Sequence, residues 1–547
     1  MLTGFDTHEV TNQPPPLVGH DVFATDAPLV DAVAREGAAW AGDDLRRLGG
    51  RAGSAEALEW GRLANRYVPE LRTHDRYGNR LDVVDYHPAY HQLMTTAVAE
   101  GLHAGPWADG RPGAHVARAA KVIVWYQVDG GHICPISMTY SSVAALRHQP
   151  DVAAVWEPRL SSPTYDPANR PASEKAGATC GMAMTEKQGG SDVRVNTTTA
   201  ARADDGTYRL TGHKWFCSAP MCDAFLMLAQ ADGGLTCFLV PRWRPDGTRN
   251  PIRIQRLKDK LGDRSNASSE IELLDAWGER VGDEGRGVRT IIEMVNHTRL
   301  DCVLGSTAIM RQGVAQATWH AHHRSAFGAT LDDQPLMQNV LADLAIESEA
   351  ATLAALRLAR AFDAPADDEH EQLVKRLVTP VIKYWTCKRA PLHAAEALEC
   401  LGGVGYVEET DLPRLYRQAP VNGVWEGSGN VICLDVLRAV AREPQTLDAY
   451  WGEVEGAAGA DARLDGAAAD LRAELGKLDD LELRARRLVE RMALVFQASL
   501  LVQHAPPAVA DAFVASRLDD TGRALGTLPP GLDVAAIVDR ARPVVSS

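Results

Sequence analysis

Hydrophobic positions follow three patterns along this chain. Up to residue 180, segments such as LVDAVAREGAAWAGDDLRRL and HQLMTTAVAEGLHAG place apolar residues three and four apart, the spacing of amphipathic helices. The run ARAAKVIVWYQVDGGHICPISMTYSSVAAL is apolar on most sides and predicts deeper burial. Around 181 the pattern changes. TYRLTGHKWFCS and DAFLMLAQADGGLTCFLV are short apolar or β-branched runs broken by glycine-containing turns, which predicts a compact sheet through about 280. GVRTIIEMVNHTRLDCVLGSTAIMRQGVAQATWHAHH then has few breakers and predicts one long helix. ADLAIESEAATLAALRLARAF and LVKRLVTPVIKYWTCKRAPLHAAEALECL predict two more, with Pro380 placed to kink the second. An Ala/Leu-rich stretch, LRAELGKLDDLELRARRLVERMALVFQASLLVQHA, predicts amphipathic helices, and PPAVADAFVASRLDD begins another after a break. The outline is a helical segment 1–180, a β segment 181–284, a helical bundle 285–440 and a further helical segment 441–547. No internal repeat stands out.

Composition narrows the function classes. A chain of 547 residues with 45% hydrophobic and 24% charged content supports several folded units and large cores. The net charge of -15 excludes a protein coated in basic surface, although binding senses local field and a local basic patch is compatible with it. The N-terminal stretch MLTGFDTHEVTNQPPPLVGHDVF lacks the basic and long apolar regions of a secretory signal, and no apolar run reaches membrane-spanning length. Nine dispersed cysteines form no CxxC pair. The expectation is a soluble cytoplasmic protein with reduced thiols and no membrane insertion.

Four stretches carry candidate chemistry. MAMTEKQGGSDV, 182–193, combines hydroxyls with adjacent glycines; it is either a solvent turn or a cofactor cradle in which Thr185 and Ser191 bind polar atoms. Its spacing is neither a dinucleotide-binding GxGxxG nor a P-loop. In HKWFCSAP, Phe216 and Ser218 share a strand face. The pair could pack and hydrogen-bond a planar ring, or belong to an ordinary core strand. HAHHRSAFG, 320–328, lacks the rest of a metal-binding pattern, so no metal is expected and Arg324 suits helix-end polarity or a phosphate contact. LGGVGY, 401–406, reads as a helix terminus. In VNGVWEGSGN, Glu426 and Ser428 could cap the following helix. A base role for Glu426 requires a substrate proton within reach. Local chemistry leaves that choice open.

Taken in order, MTEKQGGSDV, LTGHKWFCSAP, RLKDKLGDRSNAS, HHRSAFG, ALECLGGVGY and VNGVWEGSGN resemble the acyl-CoA dehydrogenase flavoprotein family. THEVTNQPPPL, PISMTY, MTEKQGGSDV and PVNGVWEGSGN resemble its AidB-type branch, associated with the adaptive response to DNA alkylation. The resemblance spans nearly the whole chain. It implies an α+β fold: an N-terminal helical domain, a middle β-barrel or sandwich domain, a helical bundle and an additional C-terminal helical domain. It also implies a homotetramer and noncovalent FAD.

The resemblance further implies residue roles. Met182, Thr185, Gly189, Gly190 and Ser191 match the flavin loop, Phe216 and Ser218 the pair that meets the isoalloxazine. Arg324 and Phe327 match a segment that reaches FAD held by a neighbouring subunit, while Gly423, Ser428 and Asn430 lie in the segment around the base. Glu426 would remove the α-proton of an acyl-CoA or related thioester while a β-hydride moves to flavin, with its backbone amide helping to polarise the thioester carbonyl. Thr298, in NHTRLD, stands where some branches carry their catalytic glutamate. Two positions depart from the family pattern: Phe216 replaces the usual tryptophan, and Glu399 replaces a glutamine. The AidB-type branch also implies a C-terminal surface for double-stranded DNA, to which Arg438, Arg484, Arg486, Arg487 and Arg491 could contribute phosphate contacts. Residues 441–547 nevertheless hold 12 Lys/Arg against 17 Asp/Glu. A DNA-binding or DNA-protecting flavoprotein with little dehydrogenase turnover is therefore the alternative to a dehydrogenase.

Overall fold

The computed structural model describes residues 7–518 and 524–545. Packing divides the chain into two compact units. One comprises Glu56–Gly305 with Val424–Val431; the other comprises Met1–Ala55, Ser306–Gly423 and Ile432–Ser547. The four stretches read from the sequence are successive segments of chain, whereas these units are assembled from segments distant in sequence.

The first unit contains the sheet. A hairpin of β1 (Glu70–His74) and β2 (Arg80–Asp85) precedes it, and the helices Ala114–Tyr126, Ile133–Leu146 and Pro150–Leu160 follow. The main strands are β3 (Cys180–Ala183), β4 (Thr199–Arg202), β5 (Tyr208–Ser218), β6 (Ala224–Ala231), β7 (Gly234–Pro241), β8 (Ile252–Leu257) and β9 (Ser268–Val281). Pairing runs β6–β4–β5–β9–β7, and β7 returns to β6, which closes the sheet; β3 joins β6 and β8 joins β9 at its margins. Closure removes the unpaired edge that an open sheet would expose. β5 and β9 are antiparallel from Tyr208 opposite Gly278 to Ser218 opposite Ser268, with a slip between Lys214 and Cys217.

The core of this unit explains why the strands sit there. The first six residues of β6 are buried, so both faces are covered and the strand reads as a continuous apolar run. Phe225, Leu226, Phe238, Leu239 and Ile271 pack with Cys134 and Met138 from the helix Ile133–Leu146, and Trp425 packs against the same cluster. Each large apolar side chain buried in this way contributes about 1.5–3 kcal/mol. The Cys180 amide donates to the Thr139 hydroxyl at 3.1 Å, tying that helix to β3.

The other unit is helical. The helix Pro335–Asp363 packs with Glu369–Cys400 and Leu481–His504, and with the shorter Ala27–Arg35 and Val534–Ala541. The helix Glu369–Cys400 continues through both Pro380 and Pro391, so each proline forgoes an intrahelical bond without ending the helix. Arg357, almost fully buried, bridges Glu371 at 2.9 Å and Glu453 at 2.6 Å. The long helix expected from GVRT to HAHH is a single element, Gly287–His323, within which the chain passes from one unit to the other. Among the described residues, no helix is long and apolar enough to cross a membrane.

Candidate active site

β3 carries Met182 and delivers the chain into a tight turn. The Gly189 amide donates to the Glu186 oxygen at 3.0 Å, and the Trp215 amide to the Thr185 oxygen at 2.8 Å. The second bond lays the TEKQGG turn beside the end of β5. Gly189 has φ +143, and a Cβ at Gly190 would come within 2.4 Å of Thr185 Oγ1. Both glycines are thus required, the first by conformation and the second by close approach. Ser191 is exposed beyond them.

Glu186 anchors this turn. Its carboxylate is fully buried, accepts from Lys214 Nζ at 2.8 Å, and also takes bonds from the Thr197 and Thr198 amides at 2.7 and 3.2 Å. Burial raises its pKa, but the bonds from Lys214, Thr198 and Thr197 outweigh burial and hold the carboxyl at about 2. Neither residue was singled out as a site residue from the sequence. The usable signal was a lysine in register with the buried Tyr208 and Leu210 of its strand, a position that needs a buried partner.

At the end of β5 the two aromatics have different fates. Trp215 is covered by Lys258, whose ammonium lies 3.2 Å from the ring centroid, a cation–π contact. The same ammonium lies 4.6 Å from the Phe216 centroid, and Phe216 remains 48% exposed. Ser218 Oγ lies 3.1 Å from Ser268 Oγ across the β5–β9 pair. The exposed ring and the hydroxyl therefore stand two residues apart at one strand end, as the alternation predicts.

Glu426 sits in the turn 424–427, ahead of the helix Gly429–Arg442. The helix-start position falls on Ser428, and Asn430 lies in the first turn, so Glu426 is not the capping residue. It has φ +58, and Gly427 follows with φ +106. A non-glycine residue in the left-handed region is strained, and such strain concentrates at functional sites. Arg299 Nε donates to the Glu426 main-chain oxygen at 3.1 Å, and Glu426 Oε2 is shielded from solvent. Thr298, one residue before Arg299, spends its hydroxyl on the Val295 carbonyl at 3.0 Å.

Cys134 lies in the buried cluster against which Trp425 packs. Burial pushes its thiol up to about 12; Lys260 opposes that, Asp263 adds to it, a hydrogen bond with Ser218 opposes it, and the Glu426 charge adds to it. No sequence motif pointed to Cys134 or Arg299.

Arg324, Phe327 and Gly423 belong to the other unit. Arg324 donates to the Asn12 carbonyl, and Asn12 exchanges two 2.8 Å bonds with Ser325. β10 (Ser325–Ala326) and β11 (Ala329–Thr330) form a small hairpin whose tip presents Phe327, fully exposed at φ +52. His322 and His323 bond Asp332 and the Trp319 carbonyl at 2.7 and 2.9 Å. Gly423 ends a short 3-10 turn, Ala419–Gly423.

The five C-terminal arginines are dispersed in role. Arg484 donates to the Lys477 carbonyl at 2.6 Å, Arg491 pairs with Glu474 at 2.8 Å, and Arg487 lies 3.8 Å from the same carboxylate. Arg438 lies 3.7 Å from Asp435. Arg438, Arg486 and Arg487 are exposed.

Comparison with known proteins decides the family. Residues 12–167 match the adaptive response protein AidB N-terminal domain, 181–276 the acyl-CoA dehydrogenase middle domain, and 285–441 the acyl-CoA dehydrogenase C-terminal domain. The putative acyl-CoA dehydrogenase AidB of Escherichia coli K12 is 47% identical over 95% of this chain and 96% of its own. The chain belongs to the acyl-CoA dehydrogenase family. Acyl-CoA dehydrogenase family member 11 of Caenorhabditis elegans is 32% identical over 87% of this chain and 81% of its own. The crystal structure of C. elegans ACDH-11 in complex with C11-CoA superposes with a TM-score of 0.84 at 28% identity, over 99% of this chain and 95% of that one. An acyl-CoA dehydrogenase from Bacillus anthracis shares the fold at a TM-score of 0.64 and 17% identity, over 83% and 89% of the two chains. The α+β acyl-CoA dehydrogenase fold, with helices flanking a closed sheet, is the architecture of this protein.

Proposed function

We propose that this protein is an FAD-dependent acyl-CoA dehydrogenase of AidB type, with Glu426 as the base. The observation that carries this reading is the left-handed turn at Glu426, held by Arg299, with the carboxylate shielded from solvent and the adjacent Trp425 packed against the sheet core.

The residues fit FAD. The tight Gly189–Gly190 turn is flanked by the hydroxyl-bearing Thr185 and Ser191, and Phe216 offers an exposed ring. When bound, FAD supplies the two-electron acceptor that no side chain provides. Glu426 takes the proton from the carbon next to the thioester carbonyl, and its main-chain amide hydrogen-bonds the carbonyl oxygen as negative charge develops. Arg299 keeps the turn in the conformation this requires. Thr298, bonded within its own helix, cannot serve as an alternative base. A homotetramer suits the hairpin tip, because Phe327 is fully exposed and free to meet a neighbouring subunit.

The test is anaerobic mixing of FAD-loaded protein with acyl-CoA thioesters of varied length. Bleaching of oxidised flavin that slows about 10²–10⁴-fold in Glu426→Gln, the range for losing a general base, supports the assignment. No bleaching with any thioester and FAD fully bound removes the dehydrogenase reading.

A second reading, binding of double-stranded DNA, is favoured by the exposure of Arg438, Arg486 and Arg487. Their carboxylate neighbours weaken the local field, so binding would be salt-sensitive and independent of sequence. Charge reversal at Arg484, Arg486 and Arg487 should abolish it; unchanged duplex affinity at low salt removes that surface.

A further inference from the structure

We propose that Lys260 is a positioning residue which, through Ser268, directs the Ser218 hydroxyl toward the cofactor. The inference rests on the flavin reading above and adds to it what sets the polarity of the hydroxyl.

The geometry is a directed chain. Lys260 Nζ donates to the Asn266 carbonyl at 2.9 Å and to Ser268 Oγ at 3.2 Å. An ammonium has donors only, so Ser268 must accept from it. The single proton of Ser268 is then available for Ser218 Oγ, 3.1 Å away. Ser218, accepting on that side, sends its own proton away from Ser268. The Cys134 thiol, which burial chiefly pushes up to about 12, is protonated at neutral pH. A neutral thiol is a weak acceptor. The stronger acceptor must come from the ligand, and the oxidised flavin edge offers ring nitrogen and carbonyl oxygen.

The backbone fixes this arrangement. Ser218 and Ser268 are direct partners in the β5–β9 ladder. The neighbouring Ser269 is committed elsewhere, donating to the Cys217 carbonyl at 2.9 Å, as the alternation of strand faces requires. The loop from Lys258 to Ser268 is closed by the Lys258 amide donating to the Ser268 oxygen at 2.7 Å and by Arg264 donating to the Lys260 carbonyl at 2.9 Å. Burial lowers the Lys260 pKa, the carboxylates of Asp263 and Asp129 favour its charged form, and Arg264 disfavours it. A hydroxyl polarised by a nearby ammonium is a stronger donor than an isolated one. It withdraws electron density from the ring and makes the ring easier to reduce.

A merely structural lysine would close the loop through Asn266 and leave flavin electronics unchanged. Sulfite separates the two, because it adds reversibly to the oxidised flavin and binds more tightly as the ring becomes more electron-poor. In the FAD-loaded full chain, Lys260→Met and Ser268→Ala should each weaken sulfite binding about tenfold, equivalent to about 30 mV for a two-electron couple. Ser268→Ala leaves the Lys260–Asn266 bond intact, so it decides the matter alone if Lys260→Met fails to fold. The double variant should be no weaker than the weaker single, since one chain is cut twice. Sulfite affinity within twofold of the parent in FAD-loaded variants, or additive losses, overturns the relay and leaves the flavin reading standing. A parent that binds no FAD overturns both.

Discussion

Arg299 Nε donates to the main-chain oxygen of Glu426 at 3.1 Å, so the proposed base is tied through its backbone to the helix that bears Thr298. The bond joins the left-handed turn to Gly287–His323, an element far earlier in the chain. Its removal leaves a half-buried carbonyl without this donor, which costs about 1–3 kcal/mol. Arg299→Met should therefore lower the thermal midpoint and slow flavin bleaching by thioester together. A variant with full thermal stability and parental bleaching would show that the turn holds without the arginine.

The strain at Glu426 gives a second prediction. At φ +58, glycine is preferred over any residue with a Cβ by about 1–2 kcal/mol. Glu426→Gly should be more stable to urea than Glu426→Ala by about that amount, while both lose thioester-dependent bleaching. Equal stability of the two variants would mean that the turn relaxes to an ordinary conformation.

The Glu186–Lys214 pair predicts an acid dependence. The Glu186 carboxyl is held at about 2 against an ordinary 4.5, so its contribution is complete above pH 4.5 and is lost as pH falls through about 2. Lys214→Met strands a buried carboxylate and should cost about 3–5 kcal/mol near neutrality. Below pH 4.5 the deficit should shrink, because a protonated Glu186 no longer needs the ammonium. Thermal midpoints of parent and Lys214→Met at pH 7 and pH 3 measure this, and a deficit independent of pH would assign the loss to packing instead.

Asn12 supplies the fourth prediction. It holds Ser325 by two 2.8 Å bonds and accepts from Arg324 through its carbonyl. Asn12→Ala removes the two side-chain bonds, worth about 0.5–1.5 kcal/mol each. If the hairpin contributes to the cofactor site, FAD affinity should fall about tenfold, read by equilibrium dialysis. An unchanged affinity with a more protease-sensitive hairpin would confine Asn12 to a local structural role.

Much of this was legible in the sequence. The change of period near 181, the long uninterrupted run from GVRT to HAHH and the GG dipeptide at 189–190 set the presence of a sheet, the 37-residue helix and the tight turn, because each follows from local backbone preference and side-chain periodicity. The ordered motifs also carried the family. Tertiary structure decided the rest. Local reasoning allowed Glu426 as a helix cap, but the fold gives that position to Ser428 and leaves Glu426 in a left-handed turn held by Arg299. Trp215 and Phe216 are adjacent in sequence, and folding brings the Lys258 ammonium over both rings, 3.2 and 4.6 Å from their centroids. The buried Lys214–Glu186 pair and the Lys260–Ser268–Ser218 chain depend on strand register and loop closure. Periodicity is a property of neighbours along the chain; the direction of a hydrogen bond and the environment of a charge depend on residues that only folding brings together.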